Sequence, residues 1–247
     1  PVDKLPPIPE SEKFPGKTGS NVEMINTEMT LLLTDEAWVS TGLWLPVGKK
    51  GTISAQQPMP DIHAQVGSHV DSLLSLLGPW KRCPNIVTTK QFETSDIVID
   101  TPFGGILYIT VNSIDPIEPR NETFKFQNFC KYPRAICGDD KIWEETKDID
   151  VPWGELDTGS VIFTMPVEYL KQITDFESVK KKFDIISDTI FDFINAKQVK
   201  PFRIIFDVQL VEDSPSRGYP LFFLIENIDD IIFKNDQPNK ELFKLAS

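Results

Sequence analysis

The sequence predicts an α+β protein: an N-terminal antiparallel β-sandwich followed by a smaller α/β lobe. Three observations predict it. Short apolar stretches separated by Gly, Pro, Asn and Asp fill the first 111 residues, the pattern of antiparallel strands joined by turns. Phe176, Val179, Phe183, Ile186, Ile190 and Ile194 then recur at three- and four-residue intervals, which buries one face of a long helix. Directly after it, Phe202, Ile204, Phe206, Val208 and Leu210 alternate strictly, as a half-buried strand does.

In chain order, residues 1–20 are rich in Pro, Lys, Glu and Gly and read as a linker or extended arm. The sandwich is expected over residues 21–150, with a loop-rich end, and the lobe over 151–247. Met29, Leu31 and Leu33 mark a strand. Trp38–Leu45 is the next, closed by the Pro46 and Gly48 turn. Strands follow at Gly51–Ala55, Ile62–Val66, Pro84–Thr89, Asp96–Asp100 and Gly105–Val111, with a short helix over Val70–Leu77. Between Asn112 and Pro152 the strand signal weakens, and Asp140–Lys147 reads as a short helix. Ser160–Met165 is a strand and Pro166–Gln172 a helix opened by proline. Thr174-Asp175-Phe176-Glu177 reads as a capping box, in which the Thr hydroxyl and the Glu carboxylate satisfy amides at the start of the long helix. An apolar run from Pro220 to Ile225 and helical turns at Asp229–Phe233 and Lys240–Leu245 complete the chain.

Composition narrows the function classes. The net charge is −12, and no basic patch suited to nucleic acid is visible. No apolar run reaches the roughly 20 residues of a membrane-spanning helix. Pro1 is not an initiator residue, so a processed product or an excerpt is expected. Cys83, Cys130 and Cys137 have no regular spacing; Cys130 and Cys137 are close enough in sequence to pair, and three unpaired thiols are the alternative. Asn121-Glu-Thr123 is a glycosylation sequon, relevant to a secreted chain.

Catalytic signatures are sparse. His63 and His69 are the two histidines, six apart, and not in a His-Glu-x-x-His helix that would put two imidazoles beside a carboxylate base. A structural role at the sheet edge is expected for His69. There is no Gly-x-Ser-x-Gly elbow and no phosphate loop; Gly104-Gly105 reads as a bend or bulge in a strand. Glu36, Asp71, Glu155, Asp157, Asp207 and Glu226 could supply an acid/base pair, without the sequence saying which of them meet.

Several motifs in order carry a family resemblance: WVSTGLWLPVGK (38–49), QVGSHVDSL (65–73), WKRCPNIV (80–87), TPFGGILYI (101–109), VPWGEL (151–156), DVQL (207–210) and RGYPL (217–221). Together they resemble the enhancin-like zinc metallopeptidase domain, peptidase family M-sixty, with a flavour of the TRP-channel-associated factors. The resemblance implies the front part of a gluzincin-type catalytic domain. In that family two histidines and a downstream glutamate hold zinc, and the motif glutamate activates water. The His-Glu-x-x-His helix is expected just after Ser247, so zinc is expected for the complete domain and no catalytic residue or metal ligand for this chain. Gly218, Tyr219 and Pro220 are the substrate-cleft candidates, because in the family they lie near the cleft, where an edge strand can pair with substrate backbone. Ser68 and Val70 stand where relatives often carry Cys and Thr.

Three functions follow as expectations. The first is part of a secreted or cell-surface peptidase acting on glycoproteins or mucins. The second is a non-catalytic binding or regulatory protein with a membrane-protein partner, for which the cytoplasmic face of a membrane is the alternative setting. The third is a carbohydrate-binding sandwich in which Trp38, Trp44 and Trp80 stack on sugar rings, against the simpler role of core packing.

Overall fold

The structure is a computed structural model. It describes residues 8–35, 38–113, 117–198, 200–211 and 219–234, and these contain thirteen strands. The chain divides into two compact units. The first comprises residues 1–70, 85–132 and 149–152, and the second 71–84, 133–148 and 153–247.

The first unit is the antiparallel sandwich. Its strands are β1 (Ile25–Leu33), β2 (Trp38–Leu45), β3 (Lys50–Ala55), β4 (Met59–Val66), β5 (Thr88–Phe92), β6 (Asp96–Asp100), β7 (Gly105–Val111) and β8 (Arg120–Lys131). They form one eight-stranded sheet in the order β5-β4-β7-β2-β8-β3-β6, with β1 also on β8. β5 and β6 are the two ends of that order and are joined in sequence by Glu93–Ser95, so the sheet curls almost closed. Inside lie Leu33, Leu45, Ile53, Ile62, Phe92, Ile109, Phe124, Phe126 and Phe129, each fully buried.

The sequence motifs have local reasons. In Ser40-Thr41-Gly42-Leu43 the register of β2 on β7 shifts, and Gly42 takes φ +77, which favours glycine. Thr41 Oγ1 donates to the Leu107 carbonyl at 2.7 Å and accepts from the Leu43 amide at 3.1 Å, which satisfies the bulge internally. Beyond it, Leu43 and Trp44 pair with Lys131 and Cys130 of β8, so the bulge is where β2 acquires its second neighbour. At Gly105, a Cβ would stand 2.7 Å from the Gly67 amide nitrogen, so only glycine lets the end of β4 approach.

The region expected to be poor in strands holds the longest strand, β8. Its alternation is broken: Phe124 and Phe126 point inward, then Asn128, at φ +67, bulges and Phe129 takes the next inward place. Asn128 is held by Asn26 Oδ1, which accepts its amide hydrogen at 3.0 Å. In the N-terminal arm, residues 9–12 form one 3₁₀ turn, and Ser11 and Phe14 are buried. The arm is tied down by the Gly19 amide donating to the Asp150 carbonyl at 2.7 Å and by Trp44 Nε1 donating to Thr18 Oγ1 at 2.9 Å.

The second unit is the α/β lobe. Its sheet runs β13-β12-β11-β10-β9, from β9 (Arg134–Ile136), β10 (Trp153–Asp157), β11 (Val161–Pro166), β12 (Phe202–Asp207) and β13 (Leu221–Leu224). β11, β12 and β13 are parallel, and β10 is antiparallel to β11. Parallel neighbours need a crossover, and α3 (Phe176–Phe193) supplies it between β11 and β12. Two shorter helices, α1 (Asp140–Thr146) and α2 (Val167–Leu170), precede α3. Val179, Phe183 and Ile190 of α3 are buried, and Phe183 meets Phe163 edge-on at 4.7 Å.

Three local expectations are corrected. The helix over Val70–Leu77 is only the 3₁₀ turn Leu73–Ser75, because the backbone is extended at Ser72 before it and at Leu76 after it. The strand expected at Pro84–Thr89 begins at Thr88 and runs to Phe92. α3 is capped by Asp175, whose carboxylate accepts from the Ser178 amide at 2.9 Å, and not by the Thr174 hydroxyl. Lys240–Leu245 lies outside the described residues.

Candidate functional site

In the lobe, β13 stands at one end of the sheet order, with β12 on its other side. Tyr219 and Pro220 lead into it, through a cis Tyr219–Pro220 bond. Pro220 is buried and Tyr219 half-buried, with the Lys200 ammonium 4.5 Å from the centre of the Tyr219 ring, a cation–π contact. Lys200 and Tyr219 therefore sit together where the parallel strands β12 and β13 begin. Gly218 lies outside the described residues. Phe222 and Phe223 are buried, so β13 is anchored by its side chains while its outer backbone edge faces no other strand among the described residues.

The opposite end of the same strands carries a buried ion pair. Asp207, the last residue of β12, receives Arg82 Nε at 2.9 and 3.0 Å on its two oxygens and Nη2 at 2.7 Å. Both side chains are fully buried. The same guanidinium donates to the carbonyls of Asp71 (2.7 Å), Cys83 (3.0 Å) and Pro84 (3.2 Å). Gln209 accepts from the Lys81 amide at 2.8 Å and donates to the Pro79 carbonyl at 3.3 Å, and Asp71 Oδ2 accepts from the Val211 amide at 3.2 Å. Three motifs separated in sequence thus meet: Asp71 of QVGSHVDSL, Arg82 of WKRCPNIV, and Asp207 with Gln209 of DVQL.

A second buried pair crosses the middle of the sheet. Arg203 of β12 donates through Nη1 to Glu155 Oε1 of β10 at 2.6 Å, and Thr164 of β11 donates to the same oxygen at 3.3 Å. Glu155, Thr164 and Arg203 are each fully buried. The motif VPWGEL places this carboxylate. Arg203 lies outside the motifs, yet a charged residue inside the apolar run Phe202–Phe206 is the signal that a partner must be waiting.

Among the described residues, the candidate carboxylates are engaged separately and not as an acid/base pair. Glu155 and Asp207 are each taken by an arginine, Asp157 lies 3.5 Å from Arg134 Nη2, and Asp71 accepts from Val211. Glu226 is exposed in the 3₁₀ turn after β13, and Glu36 lies outside the described residues.

His69 is buried, with its ring edge-on to Phe14 at 4.8 Å and Nδ1 3.2 Å from Ser68 Oγ. His63 Nδ1 stands 3.4 Å from Asn112 Nδ2; burial lowers the His63 pKa, partly opposed by nearby Asp61. Among the described residues, no three His, Cys, Asp or Glu side chains gather where an ion could be held. These donors do not fit a zinc centre.

The three tryptophans differ. Trp44 is 1% exposed and has no face open to a sugar. Trp38 is half-buried against Tyr108, ring centres 5.3 Å apart. Trp80 is 48% exposed, with its indole N–H donated to the Leu76 carbonyl at 3.1 Å. Cys83, Cys130 and Cys137 are thiols and are not joined in disulfides.

Residues 20–119 match the N-terminal domain of M60-like peptidases. TRPM8 channel-associated factor 2 of Bos taurus is 26% identical over 217 residues, which cover 85% of this chain and 23% of that protein. The chain thus spans less than a quarter of that relative. The IMPa metallopeptidase from Pseudomonas aeruginosa has the same fold, with a TM-score of 0.66 at 14% identity over 90% of this chain and 30% of its own. IMPa in complex with an O-glycopeptide overlays with a TM-score of 0.59 at 15% identity, covering 84% of this chain and 29% of its own. Over residues 20–119, then, the chain is similar to the N-terminal domain of M60-like peptidases.

Proposed function

We propose that this chain is the scaffold portion of a glycoprotein-directed M60-type metallopeptidase, secreted or held at the cell surface. It positions the substrate, and the zinc chemistry resides elsewhere in the intact protein. The observation that carries the reading is the β13 edge, entered through Tyr219–Pro220, within a fold shared with the IMPa metallopeptidase. That enzyme has been solved with an O-glycopeptide. An edge strand with its side chains anchored offers backbone donors and acceptors to an extended peptide.

The intact gene product tests this. Stoichiometric zinc retained through dialysis, with chelator-sensitive cleavage of an O-glycosylated protein, is the expected result. Intact protein without zinc or cleavage sinks the peptidase reading. The 247-residue chain alone is expected neither to cleave nor to retain zinc. Hydrogen exchange on the chain with an O-glycopeptide is expected to slow at Leu221–Leu224; unchanged exchange there removes β13 from the site.

The second reading is a non-catalytic binding protein with a membrane-protein partner. The identity to TRPM8 channel-associated factor 2 across 85% of this chain favours it. Co-purification of a channel protein with zinc-free intact product is its expected result. Occupied glycosylation at Asn121, exposed at the start of β8, would support the secretory setting and count against the cytoplasmic face.

A further inference from the structure

Among the described residues of the second unit, exposed large apolar side chains occur on α3 and just after it (Ile185, Phe193 and Ile194) and, closer together in sequence, in the loop between Asp71 and Pro84. Leu74 is 63% exposed, Leu77 fully exposed and Trp80 48% exposed. Gly78 and Pro79 lie between them and are exposed too. From Ser72 to Pro84 there is no Asp or Glu, although the chain as a whole carries −12. The charged residues of that span are Arg82, spent on Asp207, and Lys81, exposed beside Trp80.

The loop is held from behind. Leu73 is fully buried, and the Arg82 guanidinium reaches the carbonyls at both ends of the loop, Asp71 and Pro84. Much of the loop's own polar backbone is already bonded. The Leu76 amide donates to Leu73, the Leu73 amide to Pro84, and the Lys81 amide to Gln209. The Pro79 carbonyl accepts from Gln209 and the Leu76 carbonyl from the Trp80 indole. Polar groups satisfied internally are the condition for entering lipid, where no water replaces a missing partner.

We propose that the Leu74–Lys81 loop is a membrane-contact element that seats Leu74, Leu77 and Trp80 in the interfacial layer of a phospholipid surface. Tryptophan favours that layer, and Lys81 can keep its ammonium in the headgroups while its stem lies along the apolar side chains. A protein partner fits less well, because Trp80 suits either kind of surface but Leu74 and Leu77 are of a type under-represented among the side chains that carry protein–protein binding, and the loop from Ser72 to Pro84 has no carboxylate to build a polar rim of paired charges. The missing carboxylates matter because the acidic remainder is repelled by anionic headgroups, and this loop can approach without adding to that repulsion. Attachment therefore rests on apolar insertion and survives added salt.

The test uses the 247-residue chain with phosphatidylcholine vesicles, alone and with one-fifth phosphatidylserine. The chain is expected to sediment with both vesicles, at low and at high salt. Leu74→Ser with Leu77→Ser, folded by circular dichroism, is expected to lower vesicle affinity by about tenfold or more, from the apolar area lost. Brominated phosphatidylcholine is expected to quench the wild-type fluorescence and to quench Trp80→Phe far less. Wild-type chain left in the supernatant overturns the proposal, as does a double variant that sediments like wild type. Binding abolished by salt points to charge-led adsorption and also overturns it. Self-association that depends on the leucines, without vesicle binding, assigns the loop to a second copy of the chain and overturns it as well.

Discussion

Arg82 shows how much one side chain can organise. It neutralises Asp207 and donates to three loop carbonyls, with both charges out of water. Removing one partner leaves an uncompensated buried charge, so Arg82→Met is expected to cost about 3–5 kcal/mol in urea denaturation. Arg82→Met with Asp207→Leu is expected to recover much of that loss, and a double variant as unstable as the single would contradict the charge argument. The thiols behave in the opposite sense from a paired ion. Burial pushes Cys130 up to about 12, and burial with nearby Glu177 pushes Cys137 up to about 11, from an ordinary 9.0. A raised folded pKa means stability that is present below the unfolded value and lost as pH rises from 9.0 towards those folded values. Thermal melts are therefore expected to fall through that alkaline window, with a shallower fall in Cys130→Ser. At neutral pH both thiols are expected to react with iodoacetamide slowly in the native chain and fast in denaturant.

At the scale of elements, end groups and bulges decide where strands and helices lie. α3 starts at Phe176 because Asp175 accepts the Ser178 amide; Asp175→Ala is expected to cost about 1 kcal/mol, read as a lower denaturation midpoint at unchanged slope. Further along α3, burial tends to raise the Asp184 pKa, but hydrogen bonds from Lys180 and Ser160 outweigh it and hold the carboxyl below its ordinary value. β7 can begin beside β4 only because Gly105 has no side chain. Gly105→Ala sets a Cβ against the backbone of Gly67 and is expected to cost about 1–3 kcal/mol as overpacking. β8 escapes a periodicity reading for a local reason, since the Asn128 bulge shifts its inward set by one residue. β9 is three residues long, too short to carry a pattern of its own.

At the scale of the whole chain, the sandwich and the α/β lobe are each completed by segments far apart in sequence. The lobe draws in residues 71–84 and 133–148, and the sandwich draws in 149–152. This is why motifs that read as separate markers share one structural role. Asp71, Arg82, Asp207 and Gln209 join one loop to one strand end, and truncating the chain before Asp207 is expected to leave Arg82 without its carboxylate and the loop without its latch. Limited proteolysis of such a truncation is expected to cut first between Asp71 and Pro84, and protection equal to the full chain would argue that the latch is dispensable.

Much of this was legible in the residues themselves. The alternation of Phe202–Phe206, the three- and four-residue spacing of α3, and the turn at Pro46–Gly48 follow from local periodicity and turn chemistry, which need no distant partner. The ordered motifs likewise carry the resemblance to M60-like peptidases, whose N-terminal domain residues 20–119 match. What only the tertiary structure decided is where the charged members of those motifs go. Arg82 precedes Asp207 by more than a hundred residues, and Glu155 reaches Arg203 across β11. Burial makes those pairings obligatory, because an unpartnered charge cannot be taken out of water, but no local pattern says which arginine meets which carboxylate. The same holds for Trp44 and Trp80: alike in sequence, one is buried and bonded to Thr18 of the N-terminal arm and the other is left exposed on a latched loop, because burial is settled by which elements pack over a residue and not by the residue's own chemistry.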